Sequence, residues 1–122
     1  MFDDNDILLY SFSRKYSAIF CWRVFVHFTK EDVEIILRKI YDNLKEDGIV
    51  IFNVINREVQ NVDEEWVDFS NEYHMGAERY YRYFTERKIN QLVSKIGYQI
   101  QSFHKEGGEN DNKWLVYILK KI

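Results

Sequence analysis

YSAIFCWRVFVHFTKEDVEIILRKIYDNLKEDGIVIFNVI, from Tyr16 to Ile55, is the stretch that decides the fold. Its first part, Tyr16 to Trp22, is apolar or aromatic at nearly every position. That pattern predicts a strand buried on both faces, as in a parallel sheet. The polar Arg23 interrupts a run that otherwise continues to Phe28. Thr29 follows, with Asp32 three residues on, which is a capping-box pattern: the hydroxyl accepts from a first-turn N–H and the carboxylate reaches back. Val33, Ile36, Leu37, Ile40, Tyr41 and Leu44 then recur at helical spacing, while Lys30, Glu34, Arg38 and Lys45 stay off that stripe. The spacing predicts a helix over about Lys30 to Leu44, stopped by Glu46-Asp47-Gly48, where glycine tolerates the left-handed conformation. Ile49 to Ile55, rich in β-branched residues, predicts a second strand. Strand, capped helix and strand make a βαβ unit, with parallel strands and a right-handed crossover.

Outward from this unit, residues 56–84 are the least regular part of the chain. They are acidic at first (Asp63, Glu64, Glu65, Asp68) and aromatic later (Tyr73, Tyr80, Tyr81, Tyr83, Phe84), and part of them is expected to be helical. A long connection of this kind is more often functional than idle. Thr85 is placed to cap a second helix, with Ile89, Leu92, Val93 and Ile96 as its buried stripe and Gly97 as its end. Tyr98 to His104 reads as a strand. Gly107-Gly-Glu-Asn-Asp-Asn112 is a turn cluster, and Trp114 to Leu119 reads as a last strand antiparallel to the one before.

The composition narrows the function. The chain has 122 residues, a size that suits one domain spanning all of it, and 46% of them are apolar, enough for a core. A formal charge of −3 gives no general attraction to nucleic acid or to an anionic membrane. The single cysteine, Cys21, excludes an internal disulfide and a paired-cysteine metal site, and it points to a reduced, cytoplasmic setting. The N-terminus is acidic where a signal peptide is basic, and no apolar run reaches the ~20 residues of a membrane helix. No phosphate loop, hydrolytic triad order or zinc-protease motif stands out.

The order β–α–β, irregular segment, α–β–β hairpin resembles the back half of the class I S-adenosylmethionine-dependent methyltransferases. Particular residues carry the resemblance. Tyr16 to Thr29, with His27, is similar to the family's fourth strand and the turn after it. Leu44-Lys-Glu-Asp-Gly-Ile-Val-Ile-Phe52 is similar to the approach to its fifth strand. Tyr83-Phe-Thr-Glu-Arg-Lys-Ile89 and Ser94-Lys-Ile-Gly-Tyr98 resemble the segment leading into its sixth. Two positions depart from the pattern: Ser17 stands for an aspartate and Glu46 for a proline. A larger departure is the family's first strand, glycine-rich turn and helix, which cradle the cofactor. Nothing before Tyr16 supplies them, and the glycines at 48, 76, 97, 107 and 108 include no Gly-x-Gly.

The resemblance therefore implies an α/β fold: a partial Rossmann-like methyltransferase sheet, with strands equivalent to 4-5-7-6 of the family and a C-terminal antiparallel hairpin. It implies a methyltransferase acting on S-adenosylmethionine, here as the C-terminal, acceptor-side portion, a truncated form expected to be inactive alone. The alternatives are a non-catalytic assembly or binding module derived from the same fold, and an experimental or genomic truncation. The apolar edge at residues 16–24 is left open and is expected to pair with a second copy or with a separate N-terminal half.

By the same resemblance, Cys21, Trp22 and Arg23 would line the cofactor side at the carboxyl end of the first strand, where open α/β sheets bind ligands. His27 would be a general base, or else a structural histidine bonded to a backbone carbonyl. Asn53 and Asn56 flank the end of the second strand. His74, Tyr80, Tyr81 and Tyr83, with Arg79 and Arg82, would contact a methyl acceptor, a small molecule or an RNA whose bases the rings could stack. Their plainer role is to cover the bare sheet.

Overall fold

A computed structural model describes residues 14–68 and 78–122. The chain forms β1 (Tyr16–Cys21), a single 3-10 turn (Phe25–His27), α1 (Lys30–Asp42), β2 (Leu44–Asn56), the one-turn α2 (Arg57–Gln60), β3 (Glu64–Asp68), β4 (Glu78–Phe84), α3 (Glu86–Ile96), β5 (Tyr98–Glu106) and β6 (Trp114–Lys121).

The main sheet runs β1-β2-β6-β5, the 4-5-7-6 order that the resemblance implied. β1 and β2 are parallel, with Ala18 to Cys21 facing Ile49 to Phe52 in single-residue steps except for a shift next to Tyr16. β6 lies antiparallel between β2 and β5. Where the β1 ladder stops at Phe52, β4 takes over the same edge of β2 through Ile55↔Tyr83 and Asn56↔Phe84.

Both long helices lie on one face of the sheet. Thr29 Oγ1 accepts the Asp32 N–H at 3.2 Å, and Thr85 Oγ1 accepts the Lys88 N–H at 3.1 Å, so both expected caps form. Val33, Ile36, Leu37 and Ile40 of α1 and Ile89, Leu92 and Val93 of α3 join Val50, Phe52 and Val54 of β2 in one core. Each such side chain removed from water stabilises the fold by roughly 1.5–3 kcal/mol. The Tyr98 hydroxyl reaches from β5 to donate to the Leu37 carbonyl at 2.7 Å, and its burial raises its pKa.

Three expectations need correction. First, α1 ends at Asp42, not beside Gly48. Asn43 stops it one turn earlier: its Nδ2 donates to the Lys39 carbonyl at 2.8 Å and its backbone N–H to that of Ile40. Asp47 (φ 62°), rather than Gly48, takes the left-handed conformation. Second, β1 is not buried on both faces. Among the described residues it pairs with β2 alone, and Phe20, on the face opposite the helices, is 65% exposed. The neighbouring Ile49, Ile51 and Ile118 are only half-buried, because no described helix covers that face. Third, residues 56–84 are not merely irregular. After the single turn of α2, β3 and β4 pair antiparallel, from Glu64↔Arg82 to Asp68↔Glu78.

Candidate functional site

The carboxyl ends of β1 and β2 meet the amino end of β6 and the β3–β4 hairpin. In an open α/β sheet this is the end where ligands bind. The chain turns sharply after Cys21, and Arg23 adopts a left-handed conformation (φ 59°). That turn is pinned from below: the Arg23 backbone N–H donates to Asn53 Oδ1 at 2.6 Å. Asn53 is 1% exposed, and its other amide atom, Nδ2, is buried without a partner. A buried donor left unmet costs about 1–3 kcal/mol, so its retention at a strand end needs a reason. Asn56 has no such gap. Its Oδ1 accepts the Glu58 N–H at 3.1 Å and its Nδ2 donates to the Asn112 carbonyl at 2.9 Å, which ties α2 and the β5–β6 turn to the end of β2.

The candidate residues behind the first strand divide by direction. Cys21 points to the helices and is 4% exposed within the core, where burial pushes its thiol up to about 12. Its thiol is thus packing material and is held protonated, unsuited to nucleophilic work. Trp22 is half-buried and stacks on Phe20 with ring centroids 5.6 Å apart. The Arg23 guanidinium reaches across β2 and lies over the ring of Trp114, 4.9 Å from its centroid.

The hairpin supplies the other wall. Val26, Ile55 and Tyr83 form a small buried cluster, and Tyr81 and Trp114 pack against it. His27 donates from Nδ1 to the Tyr80 carbonyl at 2.9 Å, and its ring meets Tyr81 at 4.7 Å between centroids. A carbonyl oxygen only accepts, so Nδ1 carries the proton of this bond. Tyr80 donates to Glu64 at 2.9 Å and Tyr83 to Glu65 at 2.6 Å. Desolvation, and then the bond to the carboxylate, raises both phenol pKa values, so both hydroxyls stay protonated. Arg82 lies over Phe84 and 3.9 Å from Glu64, and its Nε is buried without a partner. His74 lies outside the described residues.

Arg23, Trp114, Tyr81 and His27 thus lie around one cluster whose centre, Ile55 and Tyr83, is buried. Trp114 is the member that the residue pattern did not single out. A signal for Trp114 existed: if the last strand runs antiparallel beside the second, its first residue must sit at the second strand's carboxyl end. A separate open cleft of about 530 Å³ lies nearby, with Asn56, Thr85, Glu86, Asn90 and Lys105 among its lining. Among the described residues no three potential ligands cluster to hold a metal, and no helix is long and apolar enough to cross a membrane.

Comparison with known proteins agrees with this geometry. The profile of the family described as methyltransferase domain matches residues 2–102, most of the chain. The chain belongs to the methyltransferase domain family. Solved methyltransferases share the fold of this domain. An S-adenosylmethionine-dependent methyltransferase from Clostridium acetobutylicum ATCC 824 matches with a TM-score of 0.72 and 14% identity, over 96% of this chain and 63% of its own. One from Methanosarcina mazei matches with 0.70 and 14%, over 92% and 63%. The magnesium protoporphyrin IX methyltransferase from Synechocystis PCC 6803, solved with bound S-adenosylmethionine, matches with 0.65 and 9%, over 95% and 43%. At such identities the likeness concerns the fold. This methyltransferase-domain chain spans 63% of the length of the first two and less than half of the third. No curated protein matches it significantly.

Proposed function

We propose that this chain is the C-terminal, acceptor-side portion of an S-adenosylmethionine-dependent methyltransferase, inactive by itself. The observation that carries the reading is the convergence of the β1 and β2 ends with the β3–β4 hairpin on one aromatic and polar surface. In a complete enzyme of this kind the protein mainly positions the acceptor in line with the sulfonium and excludes water. The Trp22–Arg23 turn and the unmet Asn53 amide fit one wall of a cofactor site. Cys21 contributes to that wall from behind, by packing under the turn. The sequence has no Gly-x-Gly turn to cradle the rest of the cofactor, so the wall is insufficient alone. His27 is the candidate base, and Tyr80, Tyr81 and Tyr83 are the candidate acceptor contacts, with His74 near them in sequence.

Isothermal calorimetry tests this directly. The isolated chain is expected to give no saturable heat with S-adenosylmethionine or S-adenosylhomocysteine up to millimolar ligand. Saturable binding at that level or tighter would show that the chain carries a whole cofactor site and would overturn the half-site reading.

The exposed Phe20 face and the outer side of β1, which pairs with no other described strand, favour a further point. Residues 16–24 pair with a second copy or with a separate N-terminal half. Such a face equally suits a non-catalytic assembly module built on the methyltransferase fold. In sedimentation velocity at micromolar concentration the chain is expected to run as a dimer or larger. A clean monomer rules out self-pairing through this edge.

A further inference from the structure

Two cations share one indole ring. The Arg23 Cζ lies 4.9 Å from the Trp114 centroid, and the Lys113 ammonium lies 5.8 Å from it. Neither residue forms an ion pair among the described residues. The acidic residue opposite Trp114 in the sheet, Glu106, is engaged by His104 at 2.7 Å. Directly under the Arg23 turn, the Asn53 amide is spent on one side, where Oδ1 accepts at 2.6 Å, and unmet on the other, where Nδ2 is buried without a partner. Stacking on an indole uses the face of a guanidinium and leaves the N–H groups of its edge for a planar anion, which a carboxylate matches in two-pronged fashion. A tryptophan held between strand ends also offers a flat apolar surface to the body of a small molecule.

We propose that Arg23, Lys113 and Trp114 form an anchoring subsite for a carboxylate of the methyl acceptor, with Asn53 holding the Arg23 turn from below, which makes the substrate class a small carboxylic acid. The inference rests on the methyltransferase reading for the word acceptor, but the subsite itself stands on the geometry of these residues. The division of the site follows from the sheet order. The backbone of the Trp22–Arg23 turn follows β1, on the proposed cofactor side, whereas the guanidinium crosses β2 to reach β6. The carboxylate anchors and is not itself methylated, because pairing with two cations draws off its nucleophilicity. The methyl group goes to another atom of the acid, toward the His27–Tyr81 wall.

The test uses the whole chain, labelled with nitrogen-15, and sodium benzoate as the probe, with methyl benzoate as its uncharged counterpart. Benzoate is expected to shift the Trp114 Nε1–H and the Asn53 side-chain amide resonances saturably, and the ester is expected to shift neither. Arg23→Gln and Lys113→Gln are each expected to weaken benzoate at least about tenfold. Both positions lie in turns outside the core, and unchanged resonances elsewhere in the spectrum verify that the variants fold. The proposal is overturned if benzoate gives no saturable shift, if the ester gives the same shift, or if both variants bind as the parent does. The calorimetric titration with cofactor is separate, so either reading can fail without the other.

Discussion

Replacing Phe52 by alanine is expected to remove about 3–5 kcal/mol of unfolding free energy, the range for deleting a large aromatic from a packed core. Phe52 is fully buried in β2 and joins three elements at once. Its ring meets Phe25 of the 3-10 turn edge-on at 5.2 Å and stacks on Tyr117 of β6 at 5.3 Å. The cavity left by alanine opens between the sheet and the turn that leads into α1, where rigid neighbours leave little scope for collapse. Domains of this size hold roughly 5–15 kcal/mol in total, so the loss takes a large share of the stability. Urea unfolding followed by tryptophan fluorescence measures the loss. A loss under about 1.5 kcal/mol would mean that Phe52 does not link these elements as described.

Gly97→Ala is expected to cost about 1–3 kcal/mol and to lower the melting temperature by about 5–10 °C. Gly97 follows the last turn of α3 with φ 118°, a conformation that residues with a Cβ rarely adopt. Its N–H closes the helix on the Val93 carbonyl at 3.1 Å. An added Cβ would also lie 3.2 Å from the Tyr41 hydroxyl. That tyrosine has no easy retreat, since its ring meets Tyr98 at 5.0 Å and carries the Lys121 ammonium at 4.8 Å. Thermal unfolding followed by circular dichroism measures the shift, and a melting temperature within about 1 °C of the parent would refute the account.

Where the information is local, the fold was legible in the sequence. Thr29 and Thr85 announce their helices because a cap needs only a hydroxyl and the N–H two or three residues on. Gly97 announces the end of α3 for an equally local reason. The end of α1 was misread because a side-chain amide at Asn43 completes the last turn before the glycine is reached. The β3–β4 hairpin was missed because its ladder is written in pairs, not in either strand alone. Glu64 and Glu65 look like a solvated acidic run, yet their carboxylates receive the Tyr80 and Tyr83 hydroxyls from across the hairpin. The aromatic run from Tyr80 to Phe84 has strand propensity and was the available clue. In the site, the strand-end position of Trp22 and Arg23 follows from the βαβ pattern. The cradle around Trp114 and the unmet amide of Asn53 depend on which strands become neighbours, a property of the assembled sheet.

The position of β6 governs the order in which such a chain can become a sheet. It follows every other described strand in sequence, yet it is the strip between β2 and β5. As the polypeptide leaves the ribosome, β1, α1 and β2 can associate early, since their contacts close over a short stretch of chain. β5 then emerges with no described edge to join, because β6, its neighbour among the described strands, has not been made. β5 and the β2 edge therefore wait, with apolar surface uncovered, for the final residues of the described chain, and the closing step spans sequence separations near 65 residues, from Ile49–Ile55 to Trp114–Lys120. Loop closure over such distances slows folding and prolongs exposure to aggregation. Loss of Trp114 to Lys121 would not shorten the sheet by one strand; it would leave two unconnected pieces.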